Sequence, residues 1–256
     1  MSDGFGVRRR FDIGRVFERT FGALGANGWP LLLVALIFVG LPQAALAWGQ
    51  SQFTNPSSDA IAMGAIIWGI GLIAGIVCNV IMTGVVTHSV VADLQGRKAA
   101  LGESLGVALR SFWVLLAVGI VAGLGIGLGM VLLIVPGVIL FLLWFVAGPI
   151  AVAEKAGVGR SLARSRTLTR DHRWWLLLLT VVYLVLSLVI GMLVGLAGVA
   201  LGGVQAVGQA NFATLVLGPL AQAVTALIWG AVVAAAYVEL RTVKEGGGQT
   251  IAAIFD

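Results

Sequence analysis

The chain's 256 residues are 59% hydrophobic and 11% charged, with 36 glycines, whereas a soluble domain carries about 25% charged residues. A soluble globular fold is therefore excluded, and the position of the charges matters more than the net +5. The single cysteine, Cys78, sits in an apolar run, so a disulfide framework and a thiolate metal site are excluded, and it reads as a buried structural thiol.

Residues 1–11 form a short basic tail. Asp12 is placed to cap the helix that follows. Ile13, Val16, Phe17, Thr20, Phe21 and Leu24 recur at spacings of three and four, the pattern of an interfacial helix. The first span is predicted over about 30–48, with Pro30 in its first turn and a kink at Pro42. Arg8–Arg10, an apolar run and Ala45-Leu46-Ala47 imitate a secretion signal with its cleavage site. The apolar run starts only at Leu31, after an amphipathic segment, so a retained membrane helix is the reading.

A polar loop covers about 49–60. The second span is predicted over about 61–86, with Thr87, His88 and Ser89 emerging into the headgroups. After a charged turn, Leu101, Leu105, Ala108, Leu109 and Phe112 give a second surface helix. Residues 111–153 carry no charge and are too many for one span. Pro136-Gly137 supplies a break, giving spans of about 112–134 and 138–153, the latter kinked at Pro149. A third surface helix follows Glu154. The fifth and sixth spans run about 174–201 and 213–238, separated by a neutral loop, with a polar tail over 242–256.

The layout repeats. Trp29 follows Gly14 and Trp174 follows Gly159 at the same spacing of fifteen, while Trp113 follows Gly102 at eleven, about one helical turn shorter. The expectation is an all-α polytopic membrane protein of six spans, built as three units of surface helix plus membrane hairpin in a single domain, 1–241. Every Lys and Arg falls before the first span, between the second and third, between the fourth and fifth, or after the sixth. The positive-inside rule then puts both termini in the cytoplasm.

Within lipid, small residues let helices approach. Gly119, Gly123 and Gly127, Gly191 with Gly195, and Gly71 with Gly75 fall at spacings of four. Two readings stand: contacts within one chain, or pairing of two copies into a homo-oligomer.

No Asp, Glu, Lys or Arg lies in a predicted membrane core, which weighs against an ion-driven pump. Asn79, Thr83, Gln222, Thr225, Tyr183 and Ser187 are the polar residues at depth. They either line a polar cleft or bond between helices and to their own carbonyls. His88 and His172 lack partners at metal-ligand spacing, so no metal or other cofactor is expected. No Ser–His–Asp arrangement, phosphate-cradling loop or nucleotide fingerprint is present, and an enzyme is not the expectation.

Asp93, Glu154 and Glu239 each end an even-numbered span, where a carboxylate opposes the helix dipole and calls for a cation. They are read as clamps on the surface helices or as solvated charges. Arg160, Arg164, Arg166, Arg170 and Arg173 cluster before the fifth span. Such clusters attract anionic headgroups at about 1 kcal/mol per cation, or serve only to fix topology. Ser161, Ser165 and Thr169 give the same helix a small polar face for a headgroup or another helix. Nucleic acid is not an expected partner, because no aromatic residues interleave with the basic ones.

Val135-Pro136-Gly137-Val138, Pro149, Glu154, Ser161-Leu162-Ala163-Arg164-Ser165, Leu168-Thr169-Arg170 and Trp174 together resemble the membrane domain attached to some bacterial glycerophosphoryl diester phosphodiesterases. Related stand-alone bacterial membrane proteins share the layout. The specific part covers about 130–180, and the six-span arrangement extends over most of the chain. Those enzymes carry a separate soluble catalytic domain, which this sequence does not supply. The resemblance implies a module tied to phospholipid or glycerophosphodiester metabolism, and it lends no catalytic residues. The expected function is a non-catalytic inner-membrane module that binds anionic phospholipid and supports an envelope or lipid process, with a membrane or envelope protein as a further partner. The alternative is a transporter or channel for a lipid-like or small neutral substrate.

Overall fold

The computed structural model describes residues 11–52, 58–203 and 212–245, and these are helical with no strand among them. Six segments are long and apolar enough to cross a bilayer: Gly28–Gln52, Ile61–Leu94, Phe112–Leu132, Ile134–Ala153, Arg173–Leu201 and Ala213–Glu245. The protein is an all-α, multi-pass membrane protein. The basic tail over 1–10, residues 53–57 of the expected polar loop, 204–211 of the neutral loop and 246–256 lie outside the described residues, while 49–52 and 58–60 of the expected polar loop are helical.

Helix α1 (Ile13–Ala35) begins at Asp12, whose carboxylate accepts a hydrogen bond from the Gly14 N–H at 2.8 Å. The surface helix and the first span were expected to be separate, with Pro30 starting the second. Instead α1 passes straight through Trp29 and Pro30. A proline in a helix interior costs about 3 kcal/mol. The offset is visible in packing: Val16, Thr20 and Ala23 before the proline and Leu31 and Ala35 after it are all buried. Pro42, which cannot donate to a carbonyl four residues back, is preceded by a π-helical turn over Leu36–Gly40, and α2 (Leu41–Gln52) completes the span.

Helix α3 (Ser58–Leu94) runs the full second span and beyond. Thr87, His88 and Ser89 do not emerge into headgroups. All three are buried, covered by the second surface helix α4 (Leu101–Arg110). Helix α5 (Phe112–Leu132) and α6 (Ile134–Leu143) are joined at Leu133, earlier than the expected break at Pro136-Gly137. Pro136 is the third residue of α6, where no intrahelical acceptor awaits an N–H, so proline starts this helix at no cost. The same position explains Pro149, third in α7 (Ala147–Ala153): the expected kink is a break over 144–146. The remaining elements are the third surface helix α8 (Val158–Thr169), α9 (Arg173–Gly202), a π turn at Ala213–Leu217 and α10 (Gly218–Glu245). Helix α10 reaches past the expected tail boundary at 242 because Arg241 and Glu245 pair across one turn.

The three units obey one packing rule. Val16, Ser104 and Ser161, each two residues after Gly14, Gly102 and Gly159, are fully buried, and so are Thr20, Ala108 and Ser165, four residues further on. The even-numbered spans, α3, α6–α7 and α10, meet at the centre. Val86 of α3 lies against Gly230 of α10, and Thr83 of α3 against Gly148 of α7. The odd-numbered spans pack outside them. Close approach follows where glycine permits it: a Cβ on Gly84 would sit 2.7 Å from that of Ala108, and one on Gly129 would sit 2.9 Å from the Gly137 backbone.

Candidate functional site

The arginine segment is the candidate site, and its scaffold is a broken span. Between α6 and α7 the chain leaves the helical ladder at membrane depth. Ser165 of α8 repairs it: its hydroxyl donates to the Leu143 carbonyl at 2.9 Å and accepts from the Val146 N–H at 3.3 Å. Irregular backbone at this depth is tolerated where protein satisfies it. The face of Ser161, Ser165, Leu168 and Thr169 is therefore turned into the bundle, not to headgroups. The arginines are left on the other faces. Arg160, Arg166 and Arg170 are exposed, and Arg164 and Arg173 are half-buried.

The five arginines divide by partner. Arg164 Nε lies 3.5 Å from Glu154, and its Nη2 pairs with Glu245. Glu154 also accepts from the Tyr237 hydroxyl at 3.1 Å, and Arg241 joins Tyr237 at 3.2 Å to Glu245 at 2.7 Å. Lys244 of α10 donates to the Thr167 carbonyl at 2.8 Å and lies 3.4 Å from Asp171. The end of α10 thus straps α8 to the bundle. Arg160, Arg166, Arg170 and Arg173 have no ion-pair partner among the described residues.

Where α1 ran on without a break, α8 and α9 separate at 170–172, with Asp171 at a φ of 76°. The turn shapes a hollow of about 340 Å³ lined by Arg170, Asp171, Arg173 and Trp174. Arg173 Nε is shielded there without a hydrogen-bond partner among the described residues. Trp174 is 82% exposed, and its counterparts Trp29 and Trp113 are 71% and 75% exposed. Exposed tryptophans at matching points of three spans mark the headgroup level. The hollow sits on that level.

Glu154 and Glu239 clamp surface helices. Glu154 holds Arg164 of α8. Glu239, 1% exposed, holds Arg15 at 2.9 Å and Arg19 at 2.7 Å, both from α1. Arg19 and Arg164 each stand five residues after the repeat glycine, so equivalent arginines meet equivalent acids. The last span thereby closes back on the first surface helix. The second unit inverts the charges: Glu103 of α4 faces Arg97 and His88, each at 3.7 Å. Asp93 is half-buried at the end of α3.

The sequence reading missed the group around Ser104. Its hydroxyl lies 3.0 Å from His88 Nδ1 and 2.9 Å from the Ser89 hydroxyl. Serine, histidine and Glu103 stand in the order of a hydrolase triad, but Ser104 is fully buried and already bonded to Ser89. The group ties α4 to α3 and offers no exposed nucleophile. The repeat alignment held the clue, since it pairs Ser104 with buried Ser161.

The deep polar residues fall into two kinds. Thr83 donates to the Asn79 carbonyl at 2.9 Å, and Thr225 donates to the Ala221 and Gln222 carbonyls at 2.9 and 3.1 Å. Both threonines bond within their own helices. The Asn79 and Gln222 side chains are exposed. Among the described residues no three His, Cys, Asp or Glu gather in a metal-binding group. No family model, curated protein or solved structure matches this chain.

Proposed function

We propose that the protein is a non-catalytic module of the bacterial plasma membrane that binds anionic phospholipid and supports an envelope or lipid process, alone or with a membrane partner. Arg160, Arg166, Arg170 and Arg173 are its headgroup contacts. The observation that carries this reading is the division of the arginines. One is held in internal ion pairs, while four have no ion-pair partner among the described residues, two of them beside Trp174 around a hollow of about 340 Å³. Guanidinium groups fork onto phosphate oxygens. The confinement of Lys and Arg to alternate connections supports cytoplasmic termini. The likeness to the phosphodiesterase membrane domain points to the same lipid chemistry.

Native mass spectrometry of gently purified protein tests it, comparing wild type with R160Q/R166Q/R170Q. Arg164 is left in place because its ion pairs hold α8. Three cations at about 1 kcal/mol each predict a roughly hundredfold loss of phosphatidylglycerol or cardiolipin retention. Equal retention by the folded variant would show that these arginines only set topology.

A further inference from the structure

We propose a second site, for a neutral acylglycerol-type lipid, in the gap at the outer end of the bundle between the α5–α6 hairpin and the other two hairpins. Its ligand is uncharged, with an apolar tail and a hydroxyl or ester carbonyl, and it enters sideways from the bilayer.

Two amides converge on this gap. Asn79 lies four residues before Thr83, which packs on Gly148 of α7, and seven before Val86, which packs on Gly230 of α10. Residues four and seven apart share a helix face, so Asn79 faces the space between α3, α6–α7 and α10. Gln222 lies seven residues before Trp229. The Trp229 ring is 5.5 Å from that of Phe145 on the inner side of α6 and 4.4 Å from that of Tyr183 on α9. Gln222 therefore faces the same space from α10. The two helices run parallel with Gly230 beside Val86, which sets Gln222 level with residue 78. The aromatic group forms the floor, about 10 Å further in by helical rise.

The polar groups here are short of partners. Both amide side chains are exposed, and neither is hydrogen-bonded among the described residues. Ser187, one turn beyond Tyr183 on α9, has a shielded hydroxyl that also lacks a partner among them. An amide left unpaired in hydrocarbon is unfavourable. A ligand group that pairs with the amides removes that cost. Amides supply donors and acceptors together, which suits a hydroxyl or ester. Residues 60–92, 111–153 and 174–238 contain no charged side chain, so a charged ligand would find no counter-ion. Beside Asn79 and three residues before it on α3, Ile76 is exposed apolar surface for an acyl tail.

A diazirine-bearing monoacylglycerol, photolysed with the protein in phosphatidylcholine nanodiscs and mapped by peptide mass spectrometry, tests the site. Labelling should concentrate near residues 73–83 and 218–229. Asn79→Leu with Gln222→Leu should lower it about tenfold, the loss of roughly one net hydrogen bond, without lowering the melting temperature. Gln222→Met alone repeats the test should the double variant fold poorly. Labelling spread evenly over the outer faces of α5 and α9, or unchanged in a folded variant, overturns the proposal. A double variant that turns a cross-linkable dimer into a monomer also overturns it, by assigning the amides to a second copy.

Discussion

The two ends of the bundle are built differently. At the inner end the central spans are buried almost residue by residue: 81–92 of α3, 145–153 at the second hairpin and 231–240 of α10. Serine hydroxyls and ion pairs tie the three surface helices beneath them. At the outer end α3 is exposed on nearly every face except at Gly64 and Gly71, where α2 lies close. The outer part of α9 is exposed almost all round. Gly119, Gly123 and Gly127 have open space where a Cβ would go. Hydrophobicity does not sort helix from helix in lipid, so hydrogen bonds, charges and close approach decide where the chain is tight. The sequence places these groups at the inner end.

Breaking the inner end should therefore cost most. Arg15→Gln with Arg19→Gln leaves Glu239 buried without a cation, which costs about 3–5 kcal/mol, read as a lowered melting temperature in detergent. An unchanged melting temperature would mean that Glu239 is not held by α1. Gly129→Val forces a side chain against the Gly137 backbone, and overpacking of this kind costs about 1–3 kcal/mol. Ser165→Ala strands the Leu143 carbonyl and the Val146 N–H, at about 1 kcal/mol, because membrane hydrogen bonds are worth less than their isolation suggests. Gly123→Ala, on the open outer stripe, should shift stability by no more than about 0.5 kcal/mol. A large loss at Gly123 would instead show that a second copy packs on that stripe.

The features readable from sequence were those written in local periodicity and composition. Apolar length gave the six spans, three- and four-residue spacing gave the surface helices, and the Gly-to-Trp register gave the three units. Asp12 was legible because a cap acts two residues away. What escaped was decided by residues far apart. Arg15 meets Glu239 across 224 positions. Pro30 looks like a helix start until the buried residues on both sides of it, packed against α10 and α3, are known. Ser165 reads as a polar surface residue until the break at 144–146 supplies two backbone groups for it. Sequence grouped five arginines by proximity. Structure separates them, because Arg164 points at two carboxylates and its neighbours do not.

That separation makes the lipid reading testable on a single helix. The decisive measurement is the rise in melting temperature on adding phosphatidylglycerol to wild type, Arg164→Gln and R160Q/R166Q/R170Q, since a ligand that binds only the folded state stabilises it by mass action. Arg164→Gln should melt lower without lipid and still gain on its addition. The triple variant should melt near wild type without lipid and gain nothing. A triple variant that gains as much as wild type would contradict the assignment of these arginines to the headgroup.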